Sequence, residues 1–487
     1  MDIRNKKVTV VGLGNSGLGS ALLAEKVGAE VSVTDSHDTP FIKKNARILE
    51  EKHIAVEIGA HTRRFLKDTG LLVVSPGVEK SSLALAYAIK NNIPIISELE
   101  LGYRFCKGPI TAVTGTNGKS TVVSLLGEIF REAGIRVNVC GNIGNSLSGE
   151  VSAFATEESY GRYASADRSA GDEKIDKTTE VILETSSFQL EWIESFRPKI
   201  SVILNVAEDH LDRYDNFEDY LAAKKRIFEN QAEGDITILN YDDKNLKNAV
   251  KPGTISSRVL YFSATEKVEG IYLEKGSVKT FLENKVKTLF ALGDSKLEGG
   301  HNIENILAAV LVAVLKGADI LSIEKAVKHF KPLPHRFERV TRIKGIEFID
   351  DSKATNIDST YRALKSLDRK AVLIAGGKDK NLSYEKILPA IKTSVKKIIL
   401  IGETTPKMRD IFEKVVALEE KNSLEEAVSA AYKSAIPGDC VLLSPMSSSF
   451  DMFRDYKERG EVFRKAVIKI KNQESKTKDT TEKYAAH

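Results

Sequence analysis

The sequence predicts an α/β protein made of three successive nucleotide-binding-type domains. Apolar, β-branched segments alternate with helical segments, one glycine-rich turn follows the first strand, and a second follows a strand near residue 110. This alternation is typical of parallel sheets covered by helices on both faces. A chain of 487 residues is also too long for one ordinary core, and three domains agree with about 150 residues each.

The first domain, residues 1–108, begins with a βαβ unit. The β-branched run Lys7–Val11 leads into Gly12-Leu-Gly-Asn-Ser-Gly17, and the strand after the following helix ends at Asp35. In dinucleotide-binding folds such glycines let the backbone approach phosphates, and the acidic residue holds a ribose or base edge. The same geometry binds any nucleotide diphosphate, so NAD, another nucleotide and a Rossmann-like fold without this ligand all remain open.

The central domain, residues 109–331, contains the most informative stretch. Residues 110–121 read Ile-Thr-Ala-Val-Thr-Gly-Thr-Asn-Gly-Lys-Ser-Thr. A buried strand that enters a glycine-rich turn and then a helix predicts a phosphate loop. Lys119 is suited to the outer phosphates, and Ser120 or Thr121 to Mg²⁺. Val113 stands where the full Walker pattern has glycine, so the motif is a shortened variant.

Polar residues elsewhere in this domain lie at strand ends or at a helix start. Glu184 ends the apolar strand Glu180–Glu184, where a carboxylate beside the phosphate loop suits Mg²⁺. His210 follows another buried strand, although one histidine alone could be an ordinary polar residue. Asn302 and Asn305 open an apolar helix, where amides either read a purine edge or cap the helix.

A polar segment at about 152–177 lacks sustained periodicity and predicts a mobile surface insertion.

The third domain, residues 332–471, follows a proline-containing linker. Three of its strands end in polar turns that contain Asp351, Lys380 and Ser449. Such ends meet at one edge of an α/β sheet, and the lysine and serines indicate an anionic ligand, in particular a carboxylate. A set of purely solvated loops is the alternative. The polar tail, residues 472–487, is expected to be disordered.

Composition excludes several classes of protein. With 72 basic and 68 acidic residues the net charge is +4, so we expect no nucleic-acid partner bound through counterion release. Cys106, Cys140 and Cys440 lack metal-ligand spacing and suit a cytoplasmic protein with reduced thiols. No run of eighteen apolar residues occurs, so we expect no membrane insertion. The absence of an apolar heptad favours a monomer.

Taken together, these segments resemble the ATP-dependent Mur ligases. The resemblance rests on Thr114-Gly-Thr-Asn-Gly-Lys-Ser-Thr121, Glu184 in Glu-Thr-Ser-Ser-Phe-Gln, Asp209-His-Leu-Asp212, Tyr220-Leu-Ala-Ala-Lys224, His301-Asn-Ile-Glu-Asn305 and His335-Arg-Phe-Glu338. The third domain is similar to that of the family member that adds D-glutamate, in Asp351-Ser-Lys-Ala-Thr-Asn356, Gly376-Gly-Lys-Asp-Lys380 and Leu443-Ser-Pro-Met-Ser-Ser-Ser-Phe-Asp451. The segment between Asn142 and Glu184 is longer than is usual in the family, and Lys378 stands where some members have an acidic residue.

The resemblance implies a set of site residues. It implies that the UDP-linked substrate, UDP-N-acetylmuramoyl-L-alanine, is bound by Asn15, Ser16, Asp35, Ser36, Gly77 and Asn142. It implies that ATP is bound by Gly115, Thr116, Asn117, Gly118, Lys119, Ser120, Thr121, Asn302, Asn305, Arg336 and Asp351. It implies that D-glutamate is bound by Thr355, Lys380, Ser449, Phe450 and Tyr456. Two Mg²⁺ ions are implied at Ser120, Glu184, His210 and a carbamylated Lys224, and the implied catalytic residues are Lys119, Glu184, His210 and Lys224.

The implied reaction is an ATP-dependent amide ligation in peptidoglycan precursor synthesis. ATP phosphorylates the alanyl carboxylate of the UDP-linked substrate, D-glutamate attacks the acyl phosphate, and ADP and phosphate are released. Carbamylation fits this chemistry, because CO₂ converts the Lys224 amine into an anionic ligand. Three alternatives are another Mur-type or folylpolyglutamate-type ligase, an NAD-dependent oxidoreductase that uses the first glycine-rich turn, and a nucleotide-regulated binding module without catalysis.

Overall fold

The computed structural model describes residues 3–152, 175–250, 253, 255–293, 295, 297 and 299–485. In this part of the chain the strands form three sheets. By its internal contacts the chain divides into two compact units: residues 1–206, 218–295 and 302–330 form the first, and residues 207–217, 296–301 and 331–487 form the second. The first two sheets belong to the first unit, and the third sheet belongs to the second unit.

The first sheet has the strand order β3-β2-β1-β4-β5 with all neighbours parallel. Its elements are β1 (Lys7–Val11), α1 (Asn15–Lys26), β2 (Glu30–Asp35), α2 (Pro40–Glu50), β3 (Ala55–Ile58), α3 (Arg63–Leu66), β4 (Leu71–Val74), α4 (Leu83–Lys90), β5 (Ile95–Ser97) and α5 (Glu98–Phe105). Successive residues of β4 pack on opposite faces, Val73 in one apolar cluster and Val74 in another. Burial on both faces explains why this strand is apolar throughout.

The second sheet has the strand order β14-β13-β12-β11-β10-β9-β6-β8-β7. Its elements are β6 (Ile110–Thr114), α6 (Lys119–Glu132), β7 (Val137–Gly141), α7 (Leu147–Val151), β8 (Glu180–Glu184), α8 (Ser187–Leu190), β9 (Ile200–Ile203), α9 (Phe217–Lys225), a 3₁₀ turn (Arg226–Phe228), β10 (Ile236–Asn240), α10 (Lys244–Ala249), β11 (Arg258–Ser263), β12 (Gly270–Glu274), β13 (Ser277–Leu282), β14 (Lys285–Ala291), α11 (Gly300–Leu315) and α12 (Ile320–His329). The strands from β6 to β12 pair in parallel, whereas β13 and β14 extend the edge as antiparallel strands. The fully buried β6 leads directly into the phosphate loop.

The third sheet has the strand order β15-β16-β20-β17-β18-β19, and β15 is its antiparallel edge strand. Its elements are β15 (Glu338–Ile343), β16 (Ile346–Asp350), α13 (Ile357–Lys365), β17 (Ala371–Gly376), a 3₁₀ turn (Tyr384–Ile387), α14 (Leu388–Ser394), β18 (Val395–Ile401), α15 (Thr405–Phe412), β19 (Ala417–Glu420), α16 (Leu424–Ser434), β20 (Cys440–Leu443) and α17 (Tyr456–Ala485). Leu373 and Ile374 of β17 pack into separate apolar clusters, so this sheet also buries both faces.

The predicted α/β fold class is confirmed. In sequence order, one doubly wound sheet precedes the phosphate-loop sheet and another follows it. The last helix, α17, continues to Ala485, and the disorder expected for residues 472–487 stays a prediction. Neither glycine nor proline occurs after Gly460, so nothing in the sequence ends a helix that begins inside the domain. The predicted insertion falls largely on residues 153–174, which lie outside the described residues.

Among the described helices, none combines the length and the apolar composition needed to cross a bilayer.

Candidate active site

The phosphate loop lies between β6 and α6, as the sequence predicts. Gly118 precedes the first turn of α6 with φ +87°, a conformation that favours glycine. A Cβ atom at Gly118 would lie only 2.2 Å from Asn305 Oδ1. The loop therefore needs glycine both for its backbone conformation and for the close approach of α11. Asn305 Nδ2 in turn donates to Asn302 Oδ1 (3.3 Å), which brings both predicted asparagines to the loop.

Two residues outside the predicted site brace this loop. Asn205 Oδ1 accepts a hydrogen bond from the backbone N–H of Asn117 (2.8 Å), and Asn205 Nδ2 donates to the carbonyl of the same residue (3.1 Å). The hydroxyls of Thr116 and Tyr220 also share a hydrogen bond (3.1 Å). The sequence signal for Asn205 is its position two residues after the buried strand β9, which lies beside the phosphate-loop strand.

Two lysine ammonium groups converge on the backbone of the loop. Lys119 Nζ donates to the carbonyl oxygens of Gly115 (2.8 Å) and Thr116 (2.9 Å). Lys224 Nζ donates to the same Gly115 oxygen (3.0 Å) and lies over the Tyr220 ring. Lys224 is 1% exposed. The two nitrogens therefore lie within about 6 Å of each other, where like charges repel by about 3 kcal/mol at an effective dielectric constant of about 20.

Glu184 lies beside the loop at the end of β8. Parallel pairing places it opposite Val113 of β6 and Gly141 of β7. Its Oε1 accepts a hydrogen bond from Asn142 Nδ2 (3.0 Å). Its Oε2 is buried and accepts no hydrogen bond from any residue that the structure describes. A buried carboxylate oxygen without a donor suits a cation, so the residues present fit a Mg²⁺ ion at this position.

In the first sheet the predicted glycine-rich turn follows β1 and lies beside the carboxyl end of β2. Asp35 Oδ2 accepts a hydrogen bond from the backbone N–H of Leu13 (2.6 Å), and its Oδ1 accepts one from the backbone N–H of His37 (2.8 Å). Asn15 begins α1 and Ser16 follows it. These contacts place Asp35 beside the glycine-rich turn.

The glycine at position 17 is required by close packing within that turn, because a Cβ atom there would lie 1.7 Å from the Gly12 carbonyl oxygen. His61 also lies near Asp35 and was not predicted as a site residue. Its Nδ1 is 2.9 Å from Thr34 Oγ1, and burial lowers its pKa below the usual value despite the nearby acidic groups.

In the second unit a buried carboxylate, that of Asp209, lies beside residues predicted to bind D-glutamate. Asp209 Oδ1 accepts a hydrogen bond from Lys380 Nζ (3.0 Å), and Asp209 Oδ2 accepts one from Asn356 Nδ2 (3.0 Å). Although burial alone would raise the pKa of Asp209, the opposing charges of Lys380 and His210 and these hydrogen bonds hold it well below its usual range. Asp209 is therefore an ionised partner of Lys380.

A second buried carboxylate, Asp351, follows β16 in the same unit. Its Oδ1 accepts a hydrogen bond from the backbone N–H of Phe337 (3.1 Å), and its Oδ2 accepts one from Ser444 Oγ (3.0 Å). Burial outweighs these bonds and, with the neighbouring Asp350 charge, raises the pKa of Asp351 to about 7. Asp351 can therefore exchange a proton near neutral pH.

The other residues predicted to bind D-glutamate lie around the strand ends of the third sheet. Ser449 is buried in the turn after β20, whereas Phe450 is 67% exposed. Tyr456 begins α17, and Lys353 Nζ lies 4.0 Å from the centre of its ring. Lys378 is exposed, and its backbone N–H donates to the Ser448 carbonyl (2.9 Å).

The predicted site residues divide between the two units. The phosphate-loop residues, Asn302, Asn305, Asn142, Glu184 and Lys224 belong to the first unit, as do the residues predicted to bind the UDP group. The second unit contains His210, Arg336, Asp351 and the predicted D-glutamate residues. The assignment of His210 to the second unit was not expected, because residues 207–217 lie between β9 and α9 in the sequence.

Fold and site together define a multidomain nucleotide-binding protein of the phosphate-loop class. Three family matches cover most of the chain: Mur ligase MurD-like N-terminal domain at residues 6–97, Mur ligase middle domain at 113–313, and Mur ligase glutamate ligase domain at 335–446. The chain belongs to the Mur ligase family.

Full-length relatives agree with this assignment. The UDP-N-acetylmuramoylalanine–D-glutamate ligase of Thermoanaerobacter pseudethanolicus is 40% identical over 479 residues, which cover 97% of this chain and 100% of the relative. The enzyme of the same name from Koribacter versatilis is 40% identical over 477 residues, which cover 98% of this chain and 100% of the relative.

Solved structures share the fold at lower identity. A pseudomurein peptide ligase type C from Methanothermus fervidus has a TM-score of 0.57 and 18% identity, covering 96% of this chain and 100% of its own. The UDP-N-acetylmuramate-alanine ligase of Thermotoga maritima has a TM-score of 0.56 and 18% identity, with the same coverage. A MurF ligase from Thermotoga maritima in complex with ADP has a TM-score of 0.56 and 17% identity, covering 96% of each chain.

Proposed function

We propose that this chain joins D-glutamate to UDP-N-acetylmuramoyl-L-alanine and converts ATP to ADP and phosphate. The supporting observation in the structure is the phosphate loop, where Lys119, the amino end of α6 and the unbonded Glu184 oxygen meet at one sheet edge. The names of the full-length relatives support the same substrates. They do not favour an NAD-dependent oxidoreductase, the alternative that the first glycine-rich turn left open.

ATP binds with its phosphates at residues 115–121 in this proposal. The backbone N–H groups at the start of α6 and the Lys119 ammonium receive the phosphate charge. Asn302 and Asn305 contribute amides beside Gly118, and Arg336 and Asp351 are assigned to the same nucleotide. Phosphate oxygens are charged acceptors, so Lys119 exchanges its carbonyl partners for them.

Mg²⁺ would be held by Ser120, Glu184, His210 and a carbamylated Lys224. When bound, the metal neutralises charge that develops on the transferred phosphoryl group. The buried, unbonded Glu184 oxygen supports this assignment. Carbamylation of Lys224 would replace the repulsion between its ammonium and that of Lys119 with attraction, because the modified side chain is an anion.

The reaction proceeds in two steps that use the other predicted residues. Asn15, Ser16, Asp35, Ser36, Gly77 and Asn142 bind the UDP-linked substrate, whose alanyl carboxylate attacks the γ-phosphorus of ATP and displaces ADP. The amino group of D-glutamate, bound by Thr355, Lys380, Ser449, Phe450 and Tyr456, then attacks the acyl phosphate. The tetrahedral intermediate loses phosphate and a proton to give the amide.

The decisive experiment measures phosphate release and product mass with ATP, Mg²⁺ and UDP-N-acetylmuramoyl-L-alanine. We expect phosphate release and a ligated product when D-glutamate is added, and neither when L-glutamate or lysine replaces it. A separate assay without the amino acid tests for reduction of NAD in the presence of candidate alcohols. Phosphate release without amide formation, or selection of another amino acid, would contradict the proposed substrate.

Carbamylation has its own test. Protein exchanged into ¹³C-bicarbonate should show a carbamate carbon signal that disappears in Lys224→Arg and persists in Lys225→Arg, the neighbouring lysine on α9. A signal that persists in Lys224→Arg would place the modification elsewhere. We also propose a monomer, which sedimentation velocity of the purified chain checks directly.

A further inference from the structure

A buried carboxylate of the second unit contacts two loops that the proposed amino-acid site uses. Asp209 binds Lys380 Nζ through Oδ1 and Asn356 Nδ2 through Oδ2, each at 3.0 Å. Asp209 is 5% exposed and Lys380 is 8% exposed. This contact is therefore a charge-assisted pair shielded from water, and it is stronger than an ordinary surface ion pair.

The two partners follow different strands of the third sheet. Asn356 lies between β16 and α13, and Lys380 follows β17. Asn356 Oδ1 accepts a hydrogen bond from the backbone N–H of Ser359 at the start of α13 (2.9 Å), so its Nδ2 is directed to Asp209. The Asp209 carboxylate thus links Lys380 to Asn356, the residue that follows Thr355.

The same carboxylate also orders its own segment. The backbone N–H of His210 donates to Asp209 Oδ1 (2.9 Å), and His210 has φ +56°. Glu208, one residue earlier, forms a more exposed pair with Lys386 (2.6 Å). Two adjacent carboxylates therefore contact the third domain, but only Asp209 contacts a residue assigned to D-glutamate.

We infer that Asp209 is a positioning residue for D-glutamate. A lysine ammonium has three N–H donors, and Asp209 occupies one of them while holding the long side chain in one arrangement. The other donors of Lys380 then bind a carboxylate of D-glutamate without the entropy cost of ordering the lysine at that moment. This inference rests on the proposed function and adds to it a residue that selects the amino acid without being assigned to touch it.

The test compares Asp209→Asn, Asp209→Glu and Glu208→Gln in the complete ligation assay. Asp209→Asn keeps an oxygen for Asn356 but turns a neutral group toward Lys380. We expect its KM for D-glutamate to rise about 10- to 100-fold, the range for loss of one charge-assisted hydrogen bond. The KM values for ATP and for the UDP-linked substrate should change less than about twofold on the same reasoning.

The other two variants separate positioning from general damage. Asp209→Glu restores the charge and should recover part of the affinity for D-glutamate. Glu208→Gln removes a neighbouring, more exposed carboxylate and should leave all three KM values unchanged. If Asp209→Asn does not fold, Asp209→Glu still provides the test, because displacement of the carboxylate by one methylene should raise only the KM for D-glutamate relative to wild type.

The inference is overturned if the KM for D-glutamate in Asp209→Asn stays within twofold of wild type. It is also overturned if all three KM values rise together, because that pattern indicates a structural role. Where Asp209→Glu is the only folded variant, an unchanged KM for D-glutamate has the same meaning. A wild-type chain that fails to ligate D-glutamate contradicts instead the proposed function on which the inference rests.

Discussion

Replacement of Asp351 by asparagine should stabilise the protein at alkaline pH. Burial raises the pKa of Asp351 from 3.8 to about 7 in the folded protein. Below about pH 4 the carboxyl is protonated in both the folded and the unfolded chain, so it contributes no pH-dependent term. As the pH rises from 4 to 7 the unfolded chain loses this proton and the folded chain retains it, so stability falls.

The magnitude follows from the two pKa values. Above pH 7 the full difference corresponds to roughly 4 kcal/mol of lost folding free energy. Asparagine resembles the protonated carboxyl, because its oxygen still accepts from the backbone N–H of Phe337 and its amide can donate to Ser444 Oγ. The stability of Asp351→Asn relative to wild type should therefore increase by about 2.5 kcal/mol between pH 5 and pH 8.

Urea unfolding of both proteins at pH 5, 6, 7 and 8 measures this difference. Asp368→Asn is the matched control, because Asp368 is an exposed carboxylate of the same domain. Its stability relative to wild type should be nearly constant from pH 5 to pH 8. The reasoning is refuted if the Asp351→Asn difference is also independent of pH, or if that variant is the less stable protein at pH 8.

Three further substitutions test particular contacts. Lys119→Ala should reduce phosphate release in the ligation assay by about 10²- to 10³-fold, the effect of removing one preorganised donor, and a loss below tenfold would contradict its role. Gly17→Ala should lower the free energy of unfolding by about 1–3 kcal/mol, because its Cβ would overlap the Gly12 carbonyl. Gly14→Ala is the control and should change this free energy little, because the space around its Cβ is open. Equal effects of the two substitutions would refute this account. Gly460→Ala should also destabilise the protein, by about 1–3 kcal/mol in urea unfolding, because its Cβ would lie 2.1 Å from His335 Nδ1. Alanine is normally the better helix former. An increase in stability would therefore show that His335 moves aside without cost.

The sequence contains most of the information needed for the parallel strands. The runs Lys7–Val11 and Ile110–Thr114 form strands where predicted, because β-branched residues are buried on both faces of a sheet. The antiparallel edge made of β13 and β14 was not predicted. Its outermost strand, Lys285–Ala291, is largely exposed, so it lacks the continuous apolar run that identifies a buried strand.

The site is less predictable where it depends on contacts distant in sequence. The glycines and Lys119 form one short motif and could be located directly. The Asp209–Lys380 pair joins residues 171 positions apart, and no local pattern specifies such a partner. Asn205 was visible as a polar residue after a strand, but its hydrogen bonds to the phosphate loop depend on the neighbouring strand order β9-β6.

Lys119 and Lys380 differ in the hydrogen-bond acceptors that their side chains contact. Lys119 binds neutral carbonyl oxygens of its own loop, and a charged phosphate oxygen is a stronger acceptor than either. Lys380 binds a carboxylate, which is as strong an acceptor as the carboxylate of an amino-acid substrate. Lys119 should therefore change partners when nucleotide binds, whereas Lys380 should keep Asp209 and add the substrate. This difference agrees with the roles proposed above, in which Lys119 binds a phosphoryl group that is transferred and Lys380 binds an amino acid that must be held still.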